Sequence, residues 1–482
     1  MITSISERAK VGVMVCGHKE YWPQFPGMRE RLAANGEEFT SWIRDADLVD
    51  VAGSIFVETP EGSVEAGLEF KKQDIELLFV FLTSYVASGR FVQGALMAGC
   101  PIVLVAGQRY CEIHEDSEIT SYETTAMGEA CPLPEAYSAF VRAGKRPAGV
   151  LFGILAKNEY FATEIERWCR AANAVHAFKG SVFGYMGHSY EGMLDMNFDP
   201  TAVTREFGAH VRFVEMCELV NYVNDCTDAE LQAKLDQIND TFVRMDKSYD
   251  TTTMDICEPD VEWAARVSVG LDKLVQNNGL SGFAYYYVGG QDNLYQRVAS
   301  NLMIGNSLMT TNGIAMAGEA DMKTCLAMYL TSALGCGGSF CELHLTDFDK
   351  DVLLVGHDGP HDIRISDKKP TLRGLSLFHG KQGYGVSVEF SIKHGPITMV
   401  SLGSDENGRF QLIYAEGESQ SGWVPPMGNT VTRGYFGKDV CQFIRDWSSA
   451  GTTHHASLCI GHCGSMLEKF GAMTGIKVVK VR

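Results

Sequence analysis

Apolar residues fall along this chain in short runs separated by longer stretches of helical period. Residues 10–16, 77–82 and 101–106 are continuous apolar runs of strand length, and 91–98 between two of them reads as helix. Buried strands alternating with helices predict a mostly parallel sheet in an α/β domain. The pattern restarts near Arg146. There 148–155 and 180–186 read as strands, 159–174 as an amphipathic helix, 227–243 and 259–277 as long helices, and 281–288 as an aromatic strand. The second long helix carries Asp260 and Glu262 in its first turn, where the helix dipole favours acidic residues. After about Phe340 glycine, proline and turn residues become frequent. Short runs at 352–355, 386–392, 398–402 and 410–416 predict an antiparallel sheet or barrel, followed by a helix at 465–473 and a strand at 476–481. The expected architecture is α/β: two Rossmann-like α/β domains, 1–145 and 146–335, then a C-terminal antiparallel β-barrel domain, 336–482. No internal repeat or low-complexity segment interrupts it.

Composition narrows the function classes. The 482 residues are 45% hydrophobic and 21% charged, as expected of a globular chain that buries a large core. A net charge of −19 argues against a dedicated nucleic-acid or anionic-membrane binder. No apolar run approaches the roughly 20 residues of a membrane-spanning helix, and the polar first ten residues do not resemble a signal peptide. Fourteen cysteines without a CxxC pair read as reduced thiols, which predicts a cytoplasmic protein.

Neither a phosphate loop nor a dinucleotide fingerprint is present; Gly335–Gly338 (GCGG) lacks the following Lys-Ser/Thr and reads as a turn. In open α/β sheets ligands sit beyond the carboxyl ends of the strands. This makes the loop 17–27 after the first strand, with His18, Glu20, Tyr21 and Trp22, a binding candidate or an ordinary surface loop.

Four segments of the second half carry residues suited to chemistry. They are 313–324 (GIAMAGEADMKT, with Glu319, Asp321 and Lys323), 337–344 (GGSFCELH, with Glu342 and His344), 353–361 (LLVGHDGPH, with His357, Asp358 and His361) and 450–456 (AGTTHHA, with His454 and His455). If 454–455 is extended, the two adjacent histidines point to opposite faces and one at most is a ligand. Two carboxylates and two imidazoles suit Mn²⁺ or Co²⁺ with open positions, and are a poor structural zinc set. A metal-dependent hydrolase or lyase, or a sugar-binding protein without catalysis, remains possible on these residues; a binding protein has no need of such a ligand set.

These segments resemble, in order and approximate separation, motifs of the L-arabinose isomerase family. Gly318-Glu319-Ala-Asp321-Met-Lys323-Thr is similar to GEGDWKT, Gly338-Ser-Phe-Cys-Glu342 to GTSFMED, Val355-Gly-His357 to a strand-end GxH, and Ala450–His455 to AGGAHH. The resemblance covers roughly 279–477. It implies a divalent metal, usually Mn²⁺ (Co²⁺ or Mg²⁺ as alternatives), held by Glu319, Glu342, His357 and His455. It implies aldose–ketose isomerisation through an enediol, with Glu319 and Glu342 as the acid–base pair and a small sugar as substrate. It also implies a homo-oligomer, trimer or hexamer. Lys323, Asp321 and His454 are candidates for positioning the pair or the sugar.

Two departures bear on the sugar. The family's N-terminal Thr-Ala-His-Gly stretch corresponds here to Thr125-Ala126-Met127-Gly128, and methionine supplies neither proton transfer nor polar recognition. The loop after the first strand, Gly17-His18-Lys19-Glu20-Tyr21, also differs. His18, Tyr21 and His188 are therefore candidate substrate contacts beside Met127. L-arabinose, another pentose or hexose, and a deoxy or sulfonated hexose are all open.

Overall fold

The computed structural model describes residues 8–109, 112–113, 119–155, 159–245, 253–290, 293–375, 385–426, 429–437 and 439–481. The chain packs as two compact units. One ends at His176 and is completed by Glu468–Gly475; the other is Ala177–Leu467 with the last strand.

In the first unit, strands β1 (Lys10–Cys16), β2 (Asp50–Val57), β3 (Leu77–Leu82), β4 (Ile102–Gln108) and β5 (Gly149–Ile154) form a parallel sheet in the order β2-β1-β3-β4-β5. The continuous apolar runs have a simple cause. Val13, Val15, Phe79, Phe81, Val103 and Val105 feed a core on one face, and Met14, Cys16, Val80, Leu82, Ile102 and Leu104 feed a second core on the other. A strand with helices on both faces needs apolar side chains at every position. Residues 148–155, expected to open the second α/β unit, instead give β5, paired along β4.

The loop after β1 lies at the carboxyl edge of this sheet. The His18 ring is 4.7 Å from that of Tyr21 and 5.6 Å from that of Tyr85, which follows β3. Met127 ends the helix Ser121–Ala126. Two residues on, Glu129 is 1% exposed, and burial pushes its carboxyl up to about 8. An acid whose pKa rises on folding resists ionisation that the unfolded chain accepts. Glu129 therefore draws down stability progressively as pH climbs from the ordinary carboxylate range to about 8. Glu129→Gln is expected to match the parent near pH 4 and exceed it near pH 8 by on the order of 2 kcal/mol. Urea unfolding at both pH values checks this; equal differences at the two would refute it.

The second unit begins with a parallel sheet of β6 (Val182–Gly187), β7 (His210–Val214), β8 (Gly282–Tyr286) and β9 (Ala315–Ala317), in the order β9-β8-β6-β7. The expected long helices are Asp228–Thr241 and Glu258–Asn278. The Thr227 hydroxyl and the Glu230 side chain cap the first reciprocally, as a Thr-x-x-Glu start should. The second has Pro259 in its first turn and Gly279 in the left-handed conformation after its last residue.

A mostly antiparallel sheet follows, of β10 (Ser339–Asp347), β11 (Val352–His357), β12 (Gly395–Ser404), β13 (Phe410–Gln420), β14 (Thr430–Tyr435), β15 (Ala456–Ile460) and β16 (Lys477–Val481). Its order is β12-β15-β10-β11-β14-β13-β16, and β12 also pairs with β13. Only β16 runs parallel to its neighbour. The expected strand 386–392 is observed as Gly385–Glu389 in a small separate sheet with Thr371–Leu375. Among the described residues no helix is long and apolar enough to cross a membrane.

Candidate active site

Strand register brings the site together. Glu342 on β10 lies opposite Gly356 of β11, one residue before His357. On the other side of β10, Cys341 lies opposite Ala456 of β15, one residue after His455. Residues 15 and 113 positions from Glu342 thus reach one strand end. Gly356 must be glycine, because a β-carbon there would sit 1.9 Å from the Thr430 carbonyl oxygen. Phe340 fills the space between the imidazoles, its ring 4.3 Å from His455 and 4.9 Å from His357.

The second carboxylate comes from the parallel sheet. β9 ends at Ala317, and Gly318–Ala320 forms a tight turn in which Glu319 and Ala320 have φ of 56° and 55°. The left-handed region costs a non-glycine residue roughly 1–2 kcal/mol, and strain of this kind collects at functional sites. The Tyr190 N–H donates to the Glu319 carbonyl, tying the turn to the loop after β6. His188, in that loop, is exposed, with its ring 5.4 Å from Tyr286 at the end of β8. Asp321 caps the helix Met322–Ala333, accepting from the Thr324 N–H at 3.0 Å and from its hydroxyl at 2.8 Å.

The four expected ligands converge. His455 Nε2 is 4.0 Å from Glu319 Oε2, and His357 Nε2 is 3.9 Å from Glu342 Oε2. Donor atoms of Glu319, His357 and His455 lie within 4.8 Å of one another, as do those of Glu342, His454 and His455. Ligands at about 2.0–2.2 Å from one cation stand at most about 4.4 Å apart, so little adjustment is needed. His455 carries the strongest sign of a ligand. Its ring is fully buried, its Nδ1 is 3.0 Å from Asp321 Oδ2, and its Nε2 has no hydrogen-bond partner among the described residues. A carboxylate on one ring nitrogen leaves the lone pair of the other directed at the cluster, the usual arrangement around a metal-binding histidine. The donor set fits a divalent cation of the manganese or cobalt type.

The adjacent histidines act together, because residues 454–455 precede β15 in a bend. The Thr453 hydroxyl donates to the His455 carbonyl, and the His454 N–H donates to Asp195 Oδ2 at 2.7 Å. Both rings reach the cluster, with His454 Nε2 2.8 Å from Glu342 Oε2. Lys323 Nζ donates to the Asp195 carbonyl. Asp195 was not legible in the sequence; it sits in a single 3-10 turn, Leu194–Met196, 259 residues before its partner His454. His344, its Nε2 3.6 Å from Glu342 Oε1, and Asp358, 2.9 Å from His357 Nδ1, complete the surround. His18, Tyr21 and Met127 all belong to the first unit, where His18 and Tyr21 are ring neighbours.

Charge in the site follows from burial and neighbours. Burial works to raise the Glu342 carboxyl, but the hydrogen bond from His454 and the fields of His357, His344 and His455 bring it down to about 2. The same contact with Glu342 raises His454. Burial likewise opposes ionisation of Asp321, and its bonds to His455 and Thr324 overcome it. Burial lowers Lys323 against the pull of Asp321 and Asp195. Two carboxylates, flanking imidazoles and a buried ammonium can hold a cation and move protons beside it.

Known proteins match the chain over the part that carries this site. Residues 197–337 match the model of the L-arabinose isomerase central domain, and 337–477 that of the L-arabinose isomerase C-terminal domain. The chain is 24% identical over 335 residues to the L-arabinose isomerase of a Nocardioides species, covering 66% of this chain and 64% of that protein. It is 24% identical over 338 residues to that of Tolumonas auensis, with the same coverage, and 25% over 309 residues to that of Clavibacter sepedonicus, covering 60% and 57%. The match thus spans less than two-thirds of these relatives, and the four candidate ligands Glu319, Glu342, His357 and His455 lie inside the matched models. With two consecutive domain models filled and the motif residues gathered at one place, the chain belongs to the L-arabinose isomerase family, as a divergent member.

Proposed function

We propose that this protein is a metal-dependent aldose–ketose isomerase that moves a proton between C1 and C2 of a sugar through an enediol. The observation that carries the reading is the convergence of Glu319, Glu342, His357 and His455 from two sheets, with the buried His455 Nε2 directed at the carboxylates. These four residues would hold Mn²⁺, with Co²⁺ or Mg²⁺ as substitutes. When bound, such a cation stabilises negative charge that develops on the sugar oxygens. Glu319 and Glu342 are the acid–base pair: one carboxylate takes the proton from the carbon beside the carbonyl and the other returns one. His454 bonds to Glu342 and fixes its orientation. Asp195, holding the His454 N–H and the Lys323 ammonium, fixes the rim.

The substrate is a neutral pentose or hexose, such as L-arabinose. Met127 at the position of the family's histidine favours altered recognition of the distal hydroxyls, as in a deoxy hexose. A sulfonated hexose would need a local basic pocket in a chain of net charge −19. We further propose a closed C-terminal barrel, supported by the pairing of β12 with both β15 and β13, three domains meeting near residues 176 and 336, and a cytoplasmic homo-oligomer.

The test is isotopic. Enzyme with bound manganese confirmed is incubated in D₂O with a panel of aldopentoses, hexoses and deoxy hexoses. Ketose formation with deuterium entering at C2 of the recovered aldose is expected for at least one sugar. Absence of exchange with every sugar overturns the proposal.

A further inference from the structure

The loop after β6 bears on both carboxylates of the acid–base pair. Its base is Tyr185 of β6. The Tyr185 and Ser189 hydroxyls are 2.9 Å apart, and the Tyr185 ring is 5.2 Å from that of Phe198. Residues 189–198 thus leave and return to one side chain, the form of a compact Ω-loop. Inside the loop the Met193 N–H donates to the Tyr190 carbonyl, the Met196 N–H to the Met193 carbonyl, and the Asn197 side-chain amide to the Leu194 carbonyl. Met196 is fully buried and anchors it.

Two contacts reach the site. At one end the Tyr190 N–H donates to the Glu319 carbonyl at 3.2 Å, on the left-handed turn. At the other, Asp195 Oδ2 accepts from the His454 N–H at 2.7 Å, and His454 Nε2 is 2.8 Å from Glu342 Oε2. The Lys323 ammonium donates to the Asp195 carbonyl, a main-chain contact that any side chain at 195 keeps. The neighbours of His454 have anchors of their own. The Thr453 N–H donates to the Ser401 hydroxyl, the Thr453 hydroxyl donates to the His455 carbonyl, and the His455 ring is held by Asp321. Loss of the Asp195 carboxylate therefore frees His454 and leaves the ligand His455 in place.

We propose that Asp195 is a positioning residue of the acid–base pair. Through the His454 main chain it sets the ring that orients the Glu342 carboxylate, while the same loop holds the turn that carries Glu319. The role rests on the isomerase reading above and deepens it: one loop fixes the two glutamates relative to each other. Displacing a reacting group by about 1 Å costs on the order of 10²-fold in rate, whereas the cation and its ligands are untouched.

The experiment uses the full-length, manganese-loaded protein, with L-arabinose or the faster-exchanging sugar of the panel. Asp195→Ala is expected to lower kcat by about 10–100-fold, with KM and the Mn²⁺ dissociation constant changed by less than about threefold. Asp195→Asn removes the charge and keeps an oxygen that accepts from the His454 N–H, so it should recover most of the lost turnover. A second readout needs no turnover: carbethoxylation of His454 by diethyl pyrocarbonate, followed by mass spectrometry. Its Nε2 is shielded by Glu342 in the parent, and modification should quicken about fivefold or more in Asp195→Ala but not in Asp195→Asn. His454 reactivity unchanged in Asp195→Ala overturns the proposal. So does an Asp195→Asn variant as slow as Asp195→Ala, or a fall in turnover matched by a fall in Mn²⁺ affinity. A parent that exchanges no sugar, yet shows the expected reactivity pattern, would sink the isomerase reading and leave the Asp195–His454–Glu342 link standing.

Discussion

Glu342→Gln is expected to lower turnover by about a thousandfold or more at saturating manganese, with little change in thermal stability. The substitution keeps shape and removes charge. Glu342 is held by backbone pairing on both sides, to Gly356 directly and through Cys341 to Ala456, so the register does not depend on its carboxylate. The glutamine oxygen can still accept from His454. What disappears is an anion kept ionised by three surrounding imidazoles and the His454 bond. A positioned acid or base contributes roughly 10²–10⁴-fold, and loss of a ligand adds to that. Glu319→Gln should be as severe, because the strained turn is retained while the second carboxylate is lost. Initial rates of ketose formation, with bound metal and melting temperature measured in parallel, check both. Turnover within tenfold of the parent in either variant, with the metal in place, would remove that glutamate from the acid–base pair.

The legibility of this site was uneven, for physical reasons. Glu319, Asp321, Glu342, His357 and His455 were readable because each sits in a short local motif whose neighbours have local jobs. Asp321 caps a helix with Thr324, Gly356 permits close strand approach, and Phe340 packs between two rings. Asp195 was not readable, and His454 was readable as a candidate but not its bond to Glu342. The first is defined only by contacts across 259 and 128 residues, to His454 and Lys323. The second depends on a bend at 454–455, whereas the limit of one ligand holds only where that stretch is extended. In the fold, apolar runs located strands well. They could not assign 148–155 to its sheet, since a strand buried on both faces reads alike in either domain.

Asp321→Asn should act differently from Glu342→Gln: it is expected to weaken manganese binding by about 10–100-fold, the usual effect of removing a carboxylate behind a ligating histidine, with turnover partly restored by excess metal. Asp321 is fully buried and serves two elements at once. One oxygen accepts from the Thr324 N–H, and the other faces both the Thr324 hydroxyl and His455 Nδ1. An ionised carboxylate only accepts hydrogen bonds, so His455 must carry its proton on Nδ1 and present the Nε2 lone pair to the cluster. Asparagine can keep its oxygen on the Thr324 N–H and so preserve the cap. Its amide group then donates toward His455 Nδ1, which moves the imidazole proton to Nε2, where it blocks a cation. The cap itself is worth about 1 kcal/mol, so stability should change little, whereas Asp321→Ala loses cap and tautomer together and should melt lower. Electron paramagnetic resonance of free Mn²⁺ gives the affinity directly. An unchanged dissociation constant in Asp321→Asn would show that His455 is not oriented by this carboxylate. A fall in turnover that excess manganese cannot relieve would instead make Asp321 part of the proton-transfer machinery.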